Sequence, residues 1–382
     1  MNSPKRIAIN LGGGYVPGLN AVLHGAVLAA TELGWEILGL RDGYEGVLFP
    51  ERYPDRGIVK LTPALMDSVA GASGCILGTA ARTDPFHVRR VNAANAVEEI
   101  DRSDELIAWV KREKIDAVIS IVDVPALSIL WKLHRKGLPT VCIPKSAENQ
   151  MAATQLSFGF NSALSFTVEM LDHARQAAAS ARKIGVVEVP GEHAGWLALQ
   201  SAIAVCADAV LIPEVPYDLA RVAARLNQKI LDGQTHGLVV VSEGAIAAAG
   251  HILPAAAHPL KSSLSPGATG DAGSHVIIHA GHAAEIVAMN LQLLVKHETY
   301  PLVLGQVAKG GSITAVDRQL GIGYGAAAVR GIQQNQTGTM VSFQPPELKF
   351  VPLAEAINKF RTVPPDSVFM QVARSLGIAL GD

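Results

Sequence analysis

An α/β fold with two similar three-layer αβα domains, each built on a mostly parallel sheet, is what this sequence predicts. Three observations predict it. Short β-like runs alternate with helically spaced apolar segments from start to end, the order of parallel βαβ units. At 382 residues, 49% of them hydrophobic and 17% charged, the chain can bury a large core, and its length favours two domains. After a long central helical stretch a second strand and helix series begins at "KIGVVEV", so we expect domains over residues 1–150 and 151–335, with 336–382 packing back on the core.

The elements follow in order. "RIAIN" reads as a strand, ends in the turn "LGGGYVPG", and leads into a helix, "LNAVLHGAVLAATELG"; "EILGL" is the next strand. "DELIAWVKREK", "IDAVISIVD", "VPALSILWKLHRKG" and "LPTVCIP" then alternate helix and strand. "FGFNSALSFTVEMLDHARQAAASA" is a longer helix. The second series continues through "GWLALQSAIAVCA", "AVLIPEV", "YDLARVAARLNQKILDG" and "HGLVVVSEGA". It resumes, after a Gly-, Pro-, Ala- and Ser-rich loop at 251–275, with "AAEIVAMNLQLLVKH", "YPLVLGQVAKGGS" and "AVDRQLGIGYGAAAVRGI". The tail "VPLAEAINKF" reads as a last helix.

Composition narrows the function. A formal charge of −2 without a basic run leaves no footprint for nucleic acid or an anionic membrane surface. Three widely spaced cysteines, Cys75, Cys142 and Cys206, argue against a disulfide framework or a cysteine-ligated zinc. The N-terminal residues carry no apolar signal core and no apolar run reaches membrane-spanning length, so a cytoplasmic location is expected.

Three turns carry candidate chemistry. Gly13 and Gly14 follow the first strand, where backbone amides and a helix start can approach an anion; the alternative is a tight turn that needs positive φ. Asp123 ends "AVISIV", well placed for a Mg²⁺ that bridges phosphates; the alternative is a helix N-cap, supported by Pro125. In "IPKSAENQM", Lys145 offers a compact cation, Ser146 a donor and Glu148 a carboxylate able to take a proton; the alternative is a polar loop capping the next helix. Together they supply an amide nest, a metal carboxylate and a lysine with a base, the parts of phosphoryl transfer.

In the order of its motifs the chain resembles the phosphofructokinase superfamily, over roughly Arg6 to Ile332. "GGYVPGLNAVLHGAV" is similar to that family's G-G-x-x-P-G-x-N turn, and "GCILGTAARTDPF" to its G-G-T-x-L-G-(S/T)-x-R segment. "GWEILGLRDGYEGVL", "FGFNSAL", "VVEVPGEHAGWLAL", "LIPEVPYDL" and "LGQVAKGGSITAVDRQLG" match later motifs in sequence. The resemblance implies a phosphoryl donor on the first domain, a sugar phosphate on the second, Mg²⁺ as cofactor, and a homodimer or homotetramer.

Departures from the family pattern bear on the substrates. Where ATP users carry Gly after the first Asp of G-G-D-G, this chain has Val124, whose branched side chain would occupy the path of the α-phosphate. Lys145 matches P-K-T-I-D-N-D of the pyrophosphate users, so pyrophosphate is the expected donor, held by Gly13, Gly14, Arg82, Lys145 and Ser146, with Asp123 on the metal. "TAAR" has one residue more than the usual spacing before Arg82. The catalytic Asp falls on Glu148, which with Lys145 forms the expected catalytic pair, and the second Asp on Gln150. In the acceptor half the M-G-R motif becomes Pro190, Gly191 and Glu192; two further arginines become Lys183 and Tyr300; H-x-Q-R becomes Gln306 and Lys309. A carboxylate in place of an arginine fork repels a phosphate dianion, so fructose 6-phosphate should bind poorly and the acceptor diverge. His193, Trp196 and Glu214 remain as possible linings. The alternative reading is a catalytically silent paralogue that binds a metabolite or regulates a partner.

Overall fold

In the computed structural model the described residues are 5–69, 71–79, 83–91, 97–248 and 282–382. They form two compact units, 1–162 with 312–361, and 163–311 with 362–382. Arg82 and the 251–275 loop lie outside the described residues.

The first unit opens with β1 (Arg6–Leu11), α1 (Leu19–Glu32), β2 (Glu36–Leu40), α2 (Glu45–Leu48), β3 (Ile58–Leu61) and α3 (Pro63–Asp67). A two-stranded antiparallel ribbon, β4 (Val88–Val91) and β5 (Val97–Ile100), precedes α4 (Ser103–Arg112), β6 (Ala117–Val122), α5 (Val124–Arg135) and β7 (Thr140–Pro144). α6 (Phe160–Ala181) leads from this unit into the second. There β8 (Ile184–Val189), α7 (Trp196–Ala204), β9 (Ala209–Leu211), α8 (Leu219–Leu231), β10 (Gly237–Ser242), α9 (His282–Leu294) and β11 (Thr299–Val303) follow. α10 (Ala315–Gln333), β12 (Thr339–Gln344) and β13 (Glu347–Pro352) belong to the first unit again, and α11 (Val368–Ser375) to the second.

The first sheet runs β13-β12-β7-β6-β1-β2-β3, parallel through its middle and antiparallel only at its two outermost pairs. β6 is buried at every position, as expected of a strand covered by helices on both faces. The chain moves outward from β1 to β2 and then returns to the other side of β1 as β6. The carboxyl ends of β1 and β6 therefore flank a topological switch point, where ligands of open α/β sheets bind. The second sheet, β11-β8-β10-β9, is parallel throughout and has its own switch point between β8 and β11.

Two expectations meet a different structure. Residues 312–335, expected with the second domain, pack in the first unit because α10 lies against α1 at backbone contact. A Cβ on Gly25 would overlap the Ile322 backbone, and one on Gly325 the Val22 carbonyl, so glycines set this helix spacing. "VPLAEAINKF" forms the end of β13 and a 3-10 turn over Leu353–Glu355 instead of a helix. Pairing of Val351 and Pro352 with β12 holds its start extended, and Pro352 cannot donate within a helix.

Candidate active site

Three of the expected turns converge. Gly13 has φ +81°, and a Cβ there would overlap the Asp123 carboxylate, so only glycine lets the turn after β1 lie against the turn after β6. Asp123 Oδ2 accepts from Gly14 N at 3.1 Å, while Oδ1 accepts from Ala126 N at 3.1 Å and caps α5, with Pro125 in its first turn. The cap and the contact to the glycine turn are thus made by one side chain. Lys145, at the end of β7, is fully buried and donates from Nζ to the Gly14 carbonyl oxygen. Both polar backbone groups of Gly14 are therefore held, the amide by a carboxylate and the carbonyl by an ammonium. In this arrangement Gly14, Asp123 and Lys145 satisfy one another, so a ligand that uses the Gly14 amide must replace Asp123 as its partner.

The loop after Lys145 caps no helix, since α6 begins only at Phe160. Ser146 Oγ lies 3.4 Å from Glu148 Oε2 and accepts from Gln150 N at 3.2 Å. Asn149 takes positive φ, 54°, and its Oδ1 accepts from Ser157 N at 3.0 Å. Lys145 also bridges Phe158. The carboxylate of Glu148 is thus carried on a loop pinned at both ends, one residue beyond a buried alanine, Ala147. Val124 packs in the core cluster of the first unit with Leu127 and Leu130 and is 6% exposed.

Beside this cluster, a cavity of about 460 Å³ opens at the end of β2, lined by Arg41, Asp42, Tyr53, Asp55 and residues 75–78. Gly43 of the same turn packs against the Leu11 carbonyl, which joins the cavity wall to the end of β1. Arg41 is bound to Asp55 at 2.8 Å and donates to the Ile76 carbonyl at 2.6 Å; Tyr53 donates to Asp42 at 3.0 Å. Burial pushes the Cys75 thiol up to about 11. Arg41 and Asp42 of the lining come from the "LRDGYEG" stretch and residues 75–78 from "GCILG", while Tyr53 and Asp55 lie between them in sequence, and no motif showed that the three segments meet.

The expected acceptor residues are not gathered in this chain. Pro190, Gly191 and Glu192 follow β8 at its carboxyl end, with Gly191 N donating to Glu243 at 3.3 Å and Glu192 3.9 Å from His193. Lys309 ends the 3-10 turn after β11, on the same side of that sheet. Lys183 lies before the amino end of β8, where it pairs with Glu298 at 2.6 Å. Tyr300, beside Gly185, donates to the Ala174 carbonyl at 3.1 Å. The six residues of β8, about 20 Å of strand, separate Lys183 from Pro190. Glu214 is committed to backbone, accepting from Gly195 N at 3.1 Å and from Val363 N at 2.7 Å. Trp196 stacks edge-on to Phe369. Among the described residues no group of three or more His, Cys, Asp or Glu side chains is arranged to hold a metal, and no helix is long and apolar enough to cross a membrane.

Residues 6–332 match the Phosphofructokinase family. The chain belongs to the phosphofructokinase family. It is 34% identical over 381 residues to an ATP-dependent 6-phosphofructokinase of Chloroflexus aurantiacus, covering 99% of this chain and 98% of that one. ATP-dependent 6-phosphofructokinase 2 of Clostridium perfringens is 32% identical over 387 residues and matched along both full lengths. The fold is also that of a pyrophosphate-dependent phosphofructokinase from Marinobacter aquaeolei, with a TM-score of 0.74 over 99% of this chain and 92% of that one at 17% identity. This phosphofructokinase-family chain is thus a phosphotransferase-type α/β protein whose glycine turn, Asp123 and Lys145 meet at one switch point.

Proposed function

We propose that this chain transfers the terminal phosphoryl group of Mg²⁺-ATP to a hydroxyl of a sugar or sugar phosphate. The observation that carries the reading is the meeting of Gly13, Gly14, Asp123 and Lys145 at the switch point, beside a cavity large enough for a nucleoside. Pyrophosphate was favoured in sequence by Val124 and Lys145. Both have other work: Val124 packs in the core and Lys145 holds the Gly14 carbonyl. The steric reason to exclude ATP therefore lapses, and the ATP-dependent names of relatives at 32–34% identity favour the nucleotide.

In this reading the acceptor oxygen attacks the terminal phosphorus, the bond from that phosphorus to the oxygen of the leaving ADP breaks, and the hydroxyl proton passes to Glu148. Lys145 steadies the glycine turn and adds positive charge near the phosphate. Asp123 is the fitting carboxylate for Mg²⁺, an ion that needs only one or two protein carboxylates when phosphates supply its other ligands. Each Asp123 oxygen already accepts one amide and has a second lone pair to offer. The metal would neutralise charge on the transferred group.

A panel of fructose, fructose 6-phosphate and nucleosides, each with Mg²⁺-ATP or Mg²⁺-pyrophosphate, tests the reading by product formation. Glu148→Gln should abolish transfer with the fold intact; retained turnover removes Glu148 from the base role. Product with pyrophosphate alone would restore the diphosphate donor. One observation favours a silent paralogue, the mutual satisfaction of Gly14, Asp123 and Lys145. That reading requires binding without product for every pair.

A further inference from the structure

The cavity at the end of β2 carries one charge that its own walls do not answer. Arg41 donates from Nε to Asp55 at 2.8 Å and from Nη1 to the Ile76 carbonyl, and Asp55 Oδ1 accepts from Gly57 N at 3.1 Å. Those two charges are committed to each other and to backbone. Asp42 is different: its Oδ2 accepts from the Tyr53 hydroxyl at 3.0 Å, while its Oδ1 accepts no hydrogen bond among the described residues. Oδ1 lies against Gly78, where φ is +74° and a Cβ would overlap that oxygen. Gly78 lines the same cavity, so the uncommitted oxygen stands at its wall. Asp42 itself takes φ +45°, a left-handed conformation that costs a non-glycine residue about 1–2 kcal/mol and that glycine would adopt freely. A side chain kept at such a position points to a use for it.

The place of Asp42 in the sheet suggests the use. β1 and β2 are parallel neighbours, about 5 Å apart, and Asp42 stands two residues beyond the end of β2 as Gly13 stands two beyond the end of β1. In open α/β sheets an acidic residue that follows the second strand can accept from the hydroxyls of a ribose whose phosphates lie at the glycine turn after the first. A carboxylate repels phosphate and accepts from hydroxyls, so it suits the sugar of a nucleotide and not its polyphosphate.

We propose that Asp42 reads the sugar of the phosphoryl donor, its Oδ1 accepting from the vicinal 2′- and 3′-hydroxyls of a ribonucleotide seated in this cavity. The inference rests on the reading of the donor as a nucleotide, and it makes Asp42 a specificity-determining residue of that site.

Calorimetric titrations of the full chain, of Asp42→Gly and of Asp42→Asn would use Mg²⁺-ATP, Mg²⁺-2′,3′-dideoxy-ATP and Mg²⁺-pyrophosphate. The parent should bind ATP about ten- to a hundred-fold tighter than dideoxy-ATP, the worth of a charge-assisted hydrogen bond. Asp42→Gly removes both oxygens without backbone strain, and the two nucleotides should then bind within about threefold of each other. Asp42→Asn keeps an oxygen and loses the charge, so its ratio should fall between those of the parent and Asp42→Gly. Pyrophosphate, which has no sugar, should bind all three chains alike. Equal affinity of the parent for ATP and dideoxy-ATP overturns the proposal, as does a ratio that survives in both variants. So does an equal loss for all three probes, which marks a carboxylate that only braces the turn, and so does a parent chain that binds neither nucleotide. Discrimination by ribose that collapses in the variants, with no product from any donor and acceptor pair, retires the phosphotransferase reading and leaves this one standing. Product from ATP and from dideoxy-ATP at the same KM does the reverse.

Discussion

Gly13→Ala is the sharpest probe of how the two central turns are joined. Alanine at φ +81° enters the left-handed region at a cost of about 1–2 kcal/mol. Its Cβ would also overlap the Asp123 carboxylate, which must then swing away. That movement breaks the bond from Gly14 N, about 1 kcal/mol at a half-buried site, and the cap on Ala126 N, about 1 kcal/mol more. The expected total is about 3–4 kcal/mol, and with a urea slope of about 1–3 kcal/mol per molar the midpoint falls by roughly 1 M or more. Intrinsic fluorescence suits the assay because Trp35, Trp109 and Trp131, three of the four tryptophans, lie in the first unit. In an Asp123→Gly background the obstructing carboxylate is gone, and the same substitution should cost only the backbone share of about 1–2 kcal/mol. Equal cost in both backgrounds would refute the contact between Gly13 and Asp123. So would a loss under about 1 kcal/mol in the parent, which lies below the left-handed share alone.

Two further outcomes follow from buried groups. Asp317 is fully buried and accepts from Ser162 N at 2.6 Å; burial raises its carboxyl above the usual 3.8. A folded-state pKa above the unfolded one gives a contribution fully present below pH 3.8 and lost as pH rises through the folded value, so Asp317→Asn should flatten the fall in urea midpoint above pH 4; an unchanged slope refutes this. With Cys206 exposed, the Cys75 thiol pushed up to about 11 by burial and Cys142 buried and raised further, iodoacetamide at pH 8 should label Cys206 first, Cys75 slowly and Cys142 only in denaturant, as read by mass spectrometry. Native labelling of Cys142 as fast as Cys206 would contradict the packing of β7.

The convergence of the candidate turns was partly legible because its parts are local. Gly13 and Gly14 lie where a strand-to-helix turn needs freedom of φ, and Asp123 precedes Pro125 as an N-cap does, so each announces its backbone role within a few residues. The motif order carried the family for the same reason. Val124 is less legible, because a residue type says nothing of which way it faces, and this one packs in the core. Lys183 and Tyr300 lie at the opposite end of that sheet from Pro190 and Lys309, a separation set by the parallel register of β8 and β11 that no local motif shows.

By itself, the sequence determined the alternation of strands and helices, the family, and the glycine turn and capping aspartate of the first unit, since hydrophobic period, glycine and capping chemistry act over a few residues. Only the tertiary structure decided that Lys145 is buried against Gly14, that α10 joins the first unit through glycine contacts with α1, and that the Arg361 amide meets the Gln150 carbonyl. Those contacts join residues 131 to more than 200 positions apart, and they exist only once the strand order of the sheet has brought the segments side by side.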